Sequence, residues 1–582
     1  MRAHLYCLLA VLVASGALIL TVAWLSMPVS VQANPDTRYV APPPAGNDAG
    51  NTCTSPASPC ATIQHAINVA DFGDLVSVAA GTYTEHVTMR DGVSVHGQGW
   101  LSTTIDGGHT GPTPTVYISN VWASTVLSGV QVTGGGTGIT TTSVQDGGGI
   151  AIWYAAPTIV NTWVNANTAR NGGGVFARSG SPTFRNVPVW SNAAEQRGGG
   201  FYLDGSGTVT VTDASLFAGT NGTVLGNTAG WDGGGFYIAG VTATVGGLRI
   251  WWNSAGSNGG GVQITNAPNQ VLFMLNQINW NSAANGGGLD AYSAIRLTFG
   301  LNTFDGNAAS YSSGGARFSE CAGLFQDNWL RANAAGSDGG GVSVIQGSPG
   351  LALRENWIEG NTAGFGGGVH LQTTANPLVD GNVIVTNTAN TAAGIALYQA
   401  GVATVTNNII ARNVASTTAH LGGGILADTS PARIVNNTIA DNVGDCVVFQ
   451  RAEGVAIVNN VVGGNLGDGI EHYSDTLWIS PTLVYTTDYN DVWDNVSAYA
   501  GLAGGVHDLH VNPLFVGSGD MRAYYHIQAT SPVSITGSIL WAPGRDLDGD
   551  IRILGGSVSM GADEIAVTEY RLYLPCVLRQ GP

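Results

Sequence analysis

Residues 356–371 read NWIEGNTAGFGGGVHL, and this stretch contains every element of a unit that recurs along the chain. The unit is Asn-x-apolar-x-x-Asn-small-Ala, a variable bend, three glycines and then apolar-x-apolar. Most glycine triplets follow one another at intervals of 25–29 residues. They begin at Gly147, Gly172, Gly198, Gly233, Gly259, Gly286, Gly339, Gly366 and Gly422. Because no unit contains a long amphipathic stretch, the pattern predicts short strands separated by turns and excludes arrays of helical repeats.

Two further positions keep their chemistry from unit to unit. The residue three places before the second asparagine is apolar in every copy: Val164, Val189, Val224, Ile250, Ile278, Phe304, Leu330, Ile358, Ile384, Ile410, Ile439 and Val462. The first asparagine recurs in eight successive copies: Asn276, Asn302, Asn328, Asn356, Asn382, Asn408, Asn437 and Asn460. In a parallel solenoid, equivalent residues stack about 4.8 Å apart, so the apolar column fills the interior and each asparagine can hydrogen-bond to its copy one coil away. We therefore predict an all-β fold, a right-handed parallel β-helix solenoid.

The composition agrees with a packed, turn-rich fold and excludes several functions. The chain has 85 glycines among 582 residues, 44 % hydrophobic residues and a formal net charge of −18. An acidic protein repels phosphate backbones, so we expect no nucleic-acid partner. All 20 basic residues are arginines, which excludes Schiff-base and lysine-base chemistry.

The first 33 residues are typical of a secretory signal peptide. An apolar run from Leu5 to Leu25 precedes a small-residue cleavage site that ends at Ala33. The run is also long enough to cross a bilayer, so an uncleaved anchor is the alternative. We expect a secreted or cell-surface protein that contacts a membrane only through this segment, and only if the segment is uncleaved. In an oxidising compartment, Cys53 and Cys60 enclose a short loop and are expected to form a disulfide.

Motifs near both ends of the repeats carry a family resemblance. Residues 52–99 contain Cys60-Ala61-Thr62-Ile63-Gln64 and Gly81-Thr82-Tyr83-Thr84-Glu85, and the other end contains Asn512-Pro513-Leu514-Phe515-Val516. These motifs resemble the terminal modules of secreted bacterial β-helix proteins of the pectate-lyase-like superfamily, and the repeats resemble those of polymorphic outer-membrane proteins. The resemblance implies a short N-terminal capping helix, from Ala61 to Ala70. The superfamily includes lyases, hydrolases, epimerases and non-catalytic surface proteins, so the resemblance leaves the chemistry open.

The chain then divides into six segments. They are a signal peptide (1–33), a linker (34–51), an N-terminal cap with the first coils (52–100), the β-helix repeats (101–480), closing coils with a C-terminal cap (481–565) and a C-terminal tail (566–582).

The catalytic motifs of the superfamily's enzymes show which of their reactions this sequence could support. The Asp-Asp and Gly-His-Gly motifs of polygalacturonase-type hydrolases and the Asp-Pro-His of the epimerases do not occur, and lysine-base lyases need a lysine. A calcium-assisted lyase with an arginine base remains, since it needs an aspartate cluster and one arginine. Asp546, Asp548 and Asp550 have the spacing of half a calcium loop, but no glutamate follows at the EF-hand distance, so a structural turn is favoured.

The middle residue of each apolar-x-apolar strand must point away from the interior. In coil order this column offers candidate binding residues: Phe176, Tyr202, Tyr237, Asp290, Arg317 and His370. Aromatic rings there could stack on sugars, with Asp290 and Arg317 as the polar contacts. Trp329 and Trp357 repeat at another position and could form a second outward stripe.

We interpret the chain as a monomeric β-helix protein that presents a rigid binding face. Its partner would be extracellular polysaccharide or cell-surface glycans, and no cofactor is required. The alternative is a polysaccharide lyase of the arginine-base type acting on acidic glycans, with calcium as its cofactor. A spacer or adhesin stalk without a ligand face is a third interpretation.

Overall fold

The protein is a right-handed parallel β-solenoid, described by a computed structural model. The described residues are 36–109, 111, 113–136, 146–213, 222–348, 350–373, 375–416, 422–474, 484–552 and 556–565. The predicted signal peptide and the predicted C-terminal tail lie outside them. In these ranges, no helix has the length and apolar character needed to cross a membrane.

Each coil contributes strands to stacked parallel sheets, which we label A to D in the order in which the chain visits them. Sheet A consists of Thr37–Val40, Leu75–Val78, Ser94–Gly97, Val126–Ser128, Thr158–Val160, Thr183–Arg185, Thr208–Thr212, Thr242–Gly246, Val271–Met274, Leu297–Gly300, Gly323–Gln326, Leu351–Arg354, Leu378–Asp380, Ala403–Thr406, Ala432–Val435, Val455–Val458 and Tyr485–Asp488. Sheet B consists of Gly81–Thr84, Thr103–Asp106, Gln131–Thr133, Trp163–Asn165, Val189–Trp190, Thr223–Leu225, Arg249–Trp251, Gln277–Asn279, Thr303–Asp305, Trp329–Arg331, Trp357–Glu359, Val383–Val385, Ile409–Ala411, Thr438–Ala440, Val461–Gly463 and Asp491–Trp493.

The two remaining sheets lie on either side of the glycine tracts. Sheet C, which precedes them, consists of Thr168–Asn171, Ala193–Arg197, Thr228–Ala229, Ser254–Ala255, Ser282–Asn285, Ala308–Ser312, Ala334–Ala335, Thr362–Phe365, Thr388–Thr391 and Val414–Ala415. Sheet D, which follows them, consists of Val87–Thr88, Val116–Ser119, Ile150–Trp153, Val175–Arg178, Phe201–Asp204, Phe236–Ala239, Val262–Ala267, Leu289–Ala294, Ala316–Ser319, Val342–Ile345, Val369–Gln372, Ile395–Tyr398, Ile425–Asp428, Val447–Gln450, Ile470–His472 and Tyr499–Ala500.

The predicted interior is confirmed. The side chains of the apolar column on sheet B, such as Ile358 and Ile384, are buried in one continuous core. Two asparagine ladders flank sheet B. In one of them, Asn356 donates from its backbone N and from Nδ2 to Oδ1 of Asn382, both at 2.9 Å, and its Nδ2 also reaches the Phe325 carbonyl at 2.9 Å. In the other, Asn387 makes the same three contacts with Asn413 and Ile358. The asparagines therefore satisfy the buried corners of the coil.

In the tract that begins at Gly172, an added side chain would clash at all three positions. At Gly172 the φ angle is +65°, and a Cβ would lie 2.7 Å from Cβ of Phe176. At Gly173 it would lie 2.4 Å from the Ala193 carbonyl oxygen, and at Gly174 2.8 Å from Cγ1 of Val189. Real Cβ atoms do not come this close to other heavy atoms. The tract is therefore folded tightly between sheet C, sheet D and the interior.

The N-terminal end is closed as predicted, by the helix α1 (Ile63–Val69). Its N-cap is Thr62, and the Glu85 carboxylate accepts from the backbone N–H groups of Ile63 and Gln64, each at 2.9 Å. Cys53 and Cys60 form a disulfide. One expectation is wrong: the linker predicted for 34–51 contains the sheet A strand Thr37–Val40, which pairs with the next strand of that sheet.

The C-terminal region does not continue the stack. The coils end at Tyr499–Ala500, and the segment that follows, of which residues 512–552 and 556–565 are described, lies back along the outer face of sheet B. It contains the helix α2 (Met521–Tyr524). The buried Arg552 anchors the segment, donating from Nη2 to Oδ1 of Asn407 at 3.0 Å. The segment also covers aliphatic residues of that face, among them Val383, Ile409 and Ala440.

Candidate functional site

The predicted binding residues share one column, the second position of the sheet D strands, which we call the D column. Register pairs its members in the order Phe176, Tyr202, Tyr237, Gln263, Asp290, Arg317, Ser343 and His370. They point away from the interior, as expected. Their exposure is not as expected, because Phe176, Tyr237, Asp290 and His370 are buried. Only Tyr202 and Arg317 of the six candidates are partly accessible.

The D column is buried because sheet C and the glycine tract lie against it. The first glycine of each tract touches the column residue of its own coil, as Gly286 does Asp290 and Gly366 does His370. Side chains of sheet C then close over the column: the Phe365 ring centroid is 5.4 Å from that of His370. The outward side of sheet D is therefore a second, smaller packed layer.

The aromatic part of the column stacks on itself. The ring centroids of Phe176 and Tyr202 are 5.0 Å apart with an interplanar angle of 7°, and those of Tyr202 and Tyr237 are 4.9 Å apart at 11°. Tyr202 thus has both faces covered, so the expected stacking of a sugar on this ring is not possible in this arrangement. Its hydroxyl donates to Oδ2 of Asp204 at 3.3 Å. Burial raises the pKa of Tyr202, so the hydroxyl keeps its proton.

Arginine–aspartate pairs surround the exposed edge of Tyr202. Arg170 pairs with Asp146 at 2.8 Å, Arg178 with Asp204 at 3.6 Å and Arg197 with Asp232 at 3.1 Å. The three arginine side chains are 37–49 % exposed. The Arg197 guanidinium also lies 5.4 Å from the Tyr237 ring centroid and 5.5 Å from that of the exposed Trp231. Each pair thus holds planar donors beside carboxylate acceptors at the surface.

The ionic part of the column is an internal pair. Nη1 of Arg317 donates to Oδ1 of Asp290 at 2.9 Å, and Asp290 is 2 % exposed. Burial raises the pKa of Asp290, and the Arg317 charge opposes that rise. Nε of Arg317 and Oε1 of the adjacent Gln263 are buried without a hydrogen-bond partner. Arg317 exposes 20 % of its side chain. It can therefore reach a ligand only at its margin.

His370 is a buried neutral imidazole. Its Nδ1 lies 3.1 Å from Oγ of Ser343. Burial lowers the pKa of His370 to about 4, although the Asp338 charge works against that shift. Ser343 is fully buried, so this pair is structural and not a nucleophile with its base.

Within the described part of the chain, two groups of side chains have the donor types of a metal site. In the first, Cys53, Cys60 and His65, the two sulfurs are already bonded to each other. In the second, Nε2 of His526 lies 2.9 Å from Oδ2 of Asp548, with Asp563 nearby. Nε of Arg522 also pairs with Asp548 at 2.9 Å, so a cation of the protein already occupies this cluster.

The aspartate loop of the C-terminal segment is a turn. Oδ1 of Asp546 accepts from the backbone N of Asp548 and Asp550, and its Oδ2 accepts from that of Glu564. These contacts use the Asp546 carboxylate for backbone capping, which is the arrangement that sequence reasoning favoured over a calcium loop.

A second set of aromatic side chains lies on the outer face of sheet B and at its corner with sheet C. From the sequence only Trp329 and Trp357 were noted there; their ring centroids are 6.1 Å apart. The structure adds Trp163, Trp190, Trp251, Trp252 and Trp280. Together these are seven of the chain's 15 tryptophans. The alternation of residues along the strands does not reveal that they cluster on this face.

The repeats and the stacked coils make the chain a parallel β-helix protein. Residues 365–502 match a family model described as a right-handed β-helix region. No curated protein sequence matches the chain.

Similar solved structures include the catalytic domain of a GH87 α-1,3-glucanase in complex with tetrasaccharides (13 % identity, 66 % of this chain and 66 % of that chain, TM-score 0.32). The GH87 α-1,3-glucanase of Streptomyces thermodiastaticus matches at 13 % identity over 84 % and 72 % of the chains, with a TM-score of 0.30. Pectate lyase Pel9A matches at 14 % identity over 92 % and 97 %, with a TM-score of 0.26. The chain spans about two thirds of the length of the first of these. The likeness is one of repeating architecture.

Proposed function

We propose that this chain is a secreted or cell-surface glycan-binding protein. Its ligand is an extracellular polysaccharide or a cell-surface glycan, held on the rigid surface beside the D column. The mature protein acts as a monomer, and adhesion to glycan-bearing surfaces is the corresponding biological role. The proposal covers the site and the localisation together, since a glycan of this kind is met outside the cell.

The row of arginine–aspartate pairs around Tyr202 carries the proposal. Arg170 and Arg178 lie on one coil and Arg197 on the next, all partly exposed and fixed by their aspartate partners. Planar guanidinium and carboxylate groups match the paired hydroxyls of a sugar and the carboxylate of a uronate. Because the coils are rigid, little side-chain entropy is lost when a ligand binds.

Binding is favoured over the lyase alternative by the state of Arg317. An arginine base must accept a proton from the sugar, whereas Arg317 is ion-paired with the buried Asp290 and mostly covered. A further carboxylate of the column, Glu471, lies several coils away, and burial raises its pKa to about 8 with Asp445 contributing. A protonated carboxyl is a poor ligand for calcium.

The test compares Arg178 on sheet D with Arg185 on the sheet A strand that follows it. Arg178→Ala removes a donor beside Tyr202, and Arg185→Ala removes an exposed arginine on the sheet A side. In affinity electrophoresis through polygalacturonate, we expect Arg178→Ala to weaken binding about tenfold or more, the equivalent of one charge-assisted hydrogen bond. Arg185→Ala should bind as the wild type does, and both should melt at the wild-type temperature.

Two results would overturn the proposal. One is equal affinity of the Arg178→Ala variant and the wild type. The other is release of unsaturated products, seen as ultraviolet absorbance during the incubation, which would make the chain a lyase.

A further inference from the structure

A corner row on the opposite side of sheet C contains a stacked tryptophan pair. The row is the residue that follows each sheet B strand, and the register of sheet B aligns its members: Ser191, Gly226, Trp252, Trp280, Gly306, Ala332 and Gly360. The ring centroids of Trp252 and Trp280 are 5.0 Å apart with an interplanar angle of 13°. Their side chains are 54 % and 42 % exposed.

The two ends of this stack differ. On one side Trp280 lies over Gly306, where a Cβ would be 2.6 Å from Cδ1 of the indole. On the other side the row continues with Gly226, where a Cβ would meet only Oγ of Ser191, at 3.9 Å. No side chain of the row therefore stands against the second face of Trp252. The stack follows the coil-to-coil direction, so this free face opens onto a slot above the Gly226 backbone.

The conformation of the two tryptophans has a cost in folding. Their φ angles are +51° and +54°, in the left-handed region that bulky side chains rarely adopt. Trp251 supports the pair from the side, with ring centroids 5.6 Å from Trp252 and 5.4 Å from Trp280. The same left-handed conformation occurs at this row position in other coils, as at Ser191 (φ +52°) and Ala332 (φ +53°), so it belongs to the corner itself. What distinguishes Trp252 and Trp280 is that they place large aromatic rings at this corner, where both remain exposed.

The chemistry of the row indicates the kind of ligand. All seven members from Ser191 to Gly360 are uncharged, in a protein of net charge −18. An indole face offers dispersion contact and a negative quadrupole, which suit the C–H face of a pyranose ring. Further along sheet B, the chain covers the aliphatic stretch around Val383 and Ile409 with its own C-terminal segment. That cover does not include Trp252 and Trp280.

We propose that the slot between Trp252 and Gly226 binds a pyranose ring of a neutral polysaccharide. The site is separate from the arginine–aspartate pairs beside the D column, because sheet C stands between them. The sugar stacks on the free face of Trp252, and its hydroxyls at the open side of the slot stay in water or reach Ser191.

The test fills the slot without touching the tryptophans. Gly226→Asn places a side chain in the slot, and asparagine tolerates the left-handed φ of +62°. Gly360→Asn is the matched control, since it lies in the same row with a φ of +63° and open space around it. Trp252→Ala removes the stacking face. The probes are hydroxyethylcellulose, xylan and laminarin in affinity electrophoresis, with polygalacturonate run in parallel.

We expect at least one neutral probe to retard the wild type. Gly226→Asn and Trp252→Ala should bind that probe about tenfold more weakly or worse, as for other central aromatic contacts, and Gly360→Asn should bind it as the wild type does. Polygalacturonate binding should not change in any of the three. Arg178→Ala should show the reverse pattern, so failure of one site is distinguishable from failure of the other.

Three outcomes overturn the proposal. The first is that none of the neutral probes retards the wild type. The second is that Gly226→Asn keeps full affinity. The third is that the wild type dimerises in sedimentation and Trp252→Ala abolishes the dimer, which would assign this face to a second copy of the chain.

Discussion

The outward sides of sheets D and B both carry stacked aromatic rings, yet only those of sheet B present a ring face to solvent. On sheet D, Tyr202 is enclosed between Phe176 and Tyr237, and sheet C closes over the column. At the sheet B corner, Trp252 and Trp280 have glycines as their neighbours in the row. The difference shows that an outward side chain in a β-helix is exposed only if no further layer of the coil returns over it.

The largest difference in stability between the two sheets is expected for their arginine–aspartate pairs. Asp290→Ala leaves the Arg317 charge without its partner in the covered layer, and we expect unfolding free energy to fall by about 3–5 kcal/mol. Asp305→Ala removes the partner of Arg331 on the outer face of sheet B, where the arginine side chain is 56 % exposed. That pair should contribute about 0–1 kcal/mol. Urea unfolding of both variants measures the contrast, and equal losses would show that the sheet D layer is open to water.

The glycines beside the D column and beside the tryptophan pair should differ in the same sense. Gly286→Ala forces a Cβ to within 2.6 Å of Cβ of Asp290 at a φ of +58°, and we expect a loss of about 3 kcal/mol. Gly226→Ala has the same left-handed strain with open space around it, so about 1–2 kcal/mol should be lost. Thermal melting of the two variants tests the order. A larger loss for Gly226→Ala would contradict the packing described for both sites.

Most of the solenoid could be predicted from sequence because each coil repeats the same constraint. One repeat length fixes the apolar column, the two asparagine ladders and the register of the D column. The sequence of any single coil therefore predicts the structure of the others. The exposure of Asp290 and His370 could not be predicted this way. The alternation of residues along a strand predicts that a side chain points away from the interior. Whether another layer then buries that side chain depends on how far sheet C folds back before the glycine tract.

The tryptophan slot escaped sequence reasoning for a different reason. Trp252 and Trp280 occupy the bend after a strand, where the two-residue alternation no longer applies and residue types vary freely from Ser191 to Gly360. The available signal was the concentration of tryptophan near one edge of the repeat. The place where the stack of coils ends also depends on tertiary structure. The C-terminal segment contains no repeat, and the position of its residues 512–552 along sheet B is set by contacts such as that of Arg552 with Asn407.

Acid should weaken the covered layer of sheet D. The buried His370 has a pKa of about 4 in the folded protein, below the value of about 6.5 of an unfolded chain. Between these values the unfolded state binds the extra proton, so stability is present above pH 6.5 and is lost as the pH falls toward 4. We expect a loss of about 3 kcal/mol from this residue. In His370→Gln the unfolding free energy should fall less over this range, and an unchanged slope would contradict a buried, neutral imidazole.

The smallest expected effect is the loss of ligand affinity when a ring contacts the ligand through its edge and not through its face. Tyr202 offers a ligand only its hydroxyl, so Tyr202→Phe keeps the stack with Phe176 and Tyr237 and removes one neutral hydrogen bond. A bond of this kind contributes about 0.5–1.5 kcal/mol, so polygalacturonate should bind about three- to tenfold more weakly. The melting temperature should stay close to that of the wild type, since the ring remains packed.

At the sheet B corner the contact is the ring face of Trp252, so Trp252→Phe should keep part of the affinity for a neutral polysaccharide that Trp252→Ala loses. Affinity electrophoresis of the three variants separates the two modes. Full binding by Tyr202→Phe together with loss in Trp252→Phe would leave the sheet B corner as the glycan-contacting face of the solenoid.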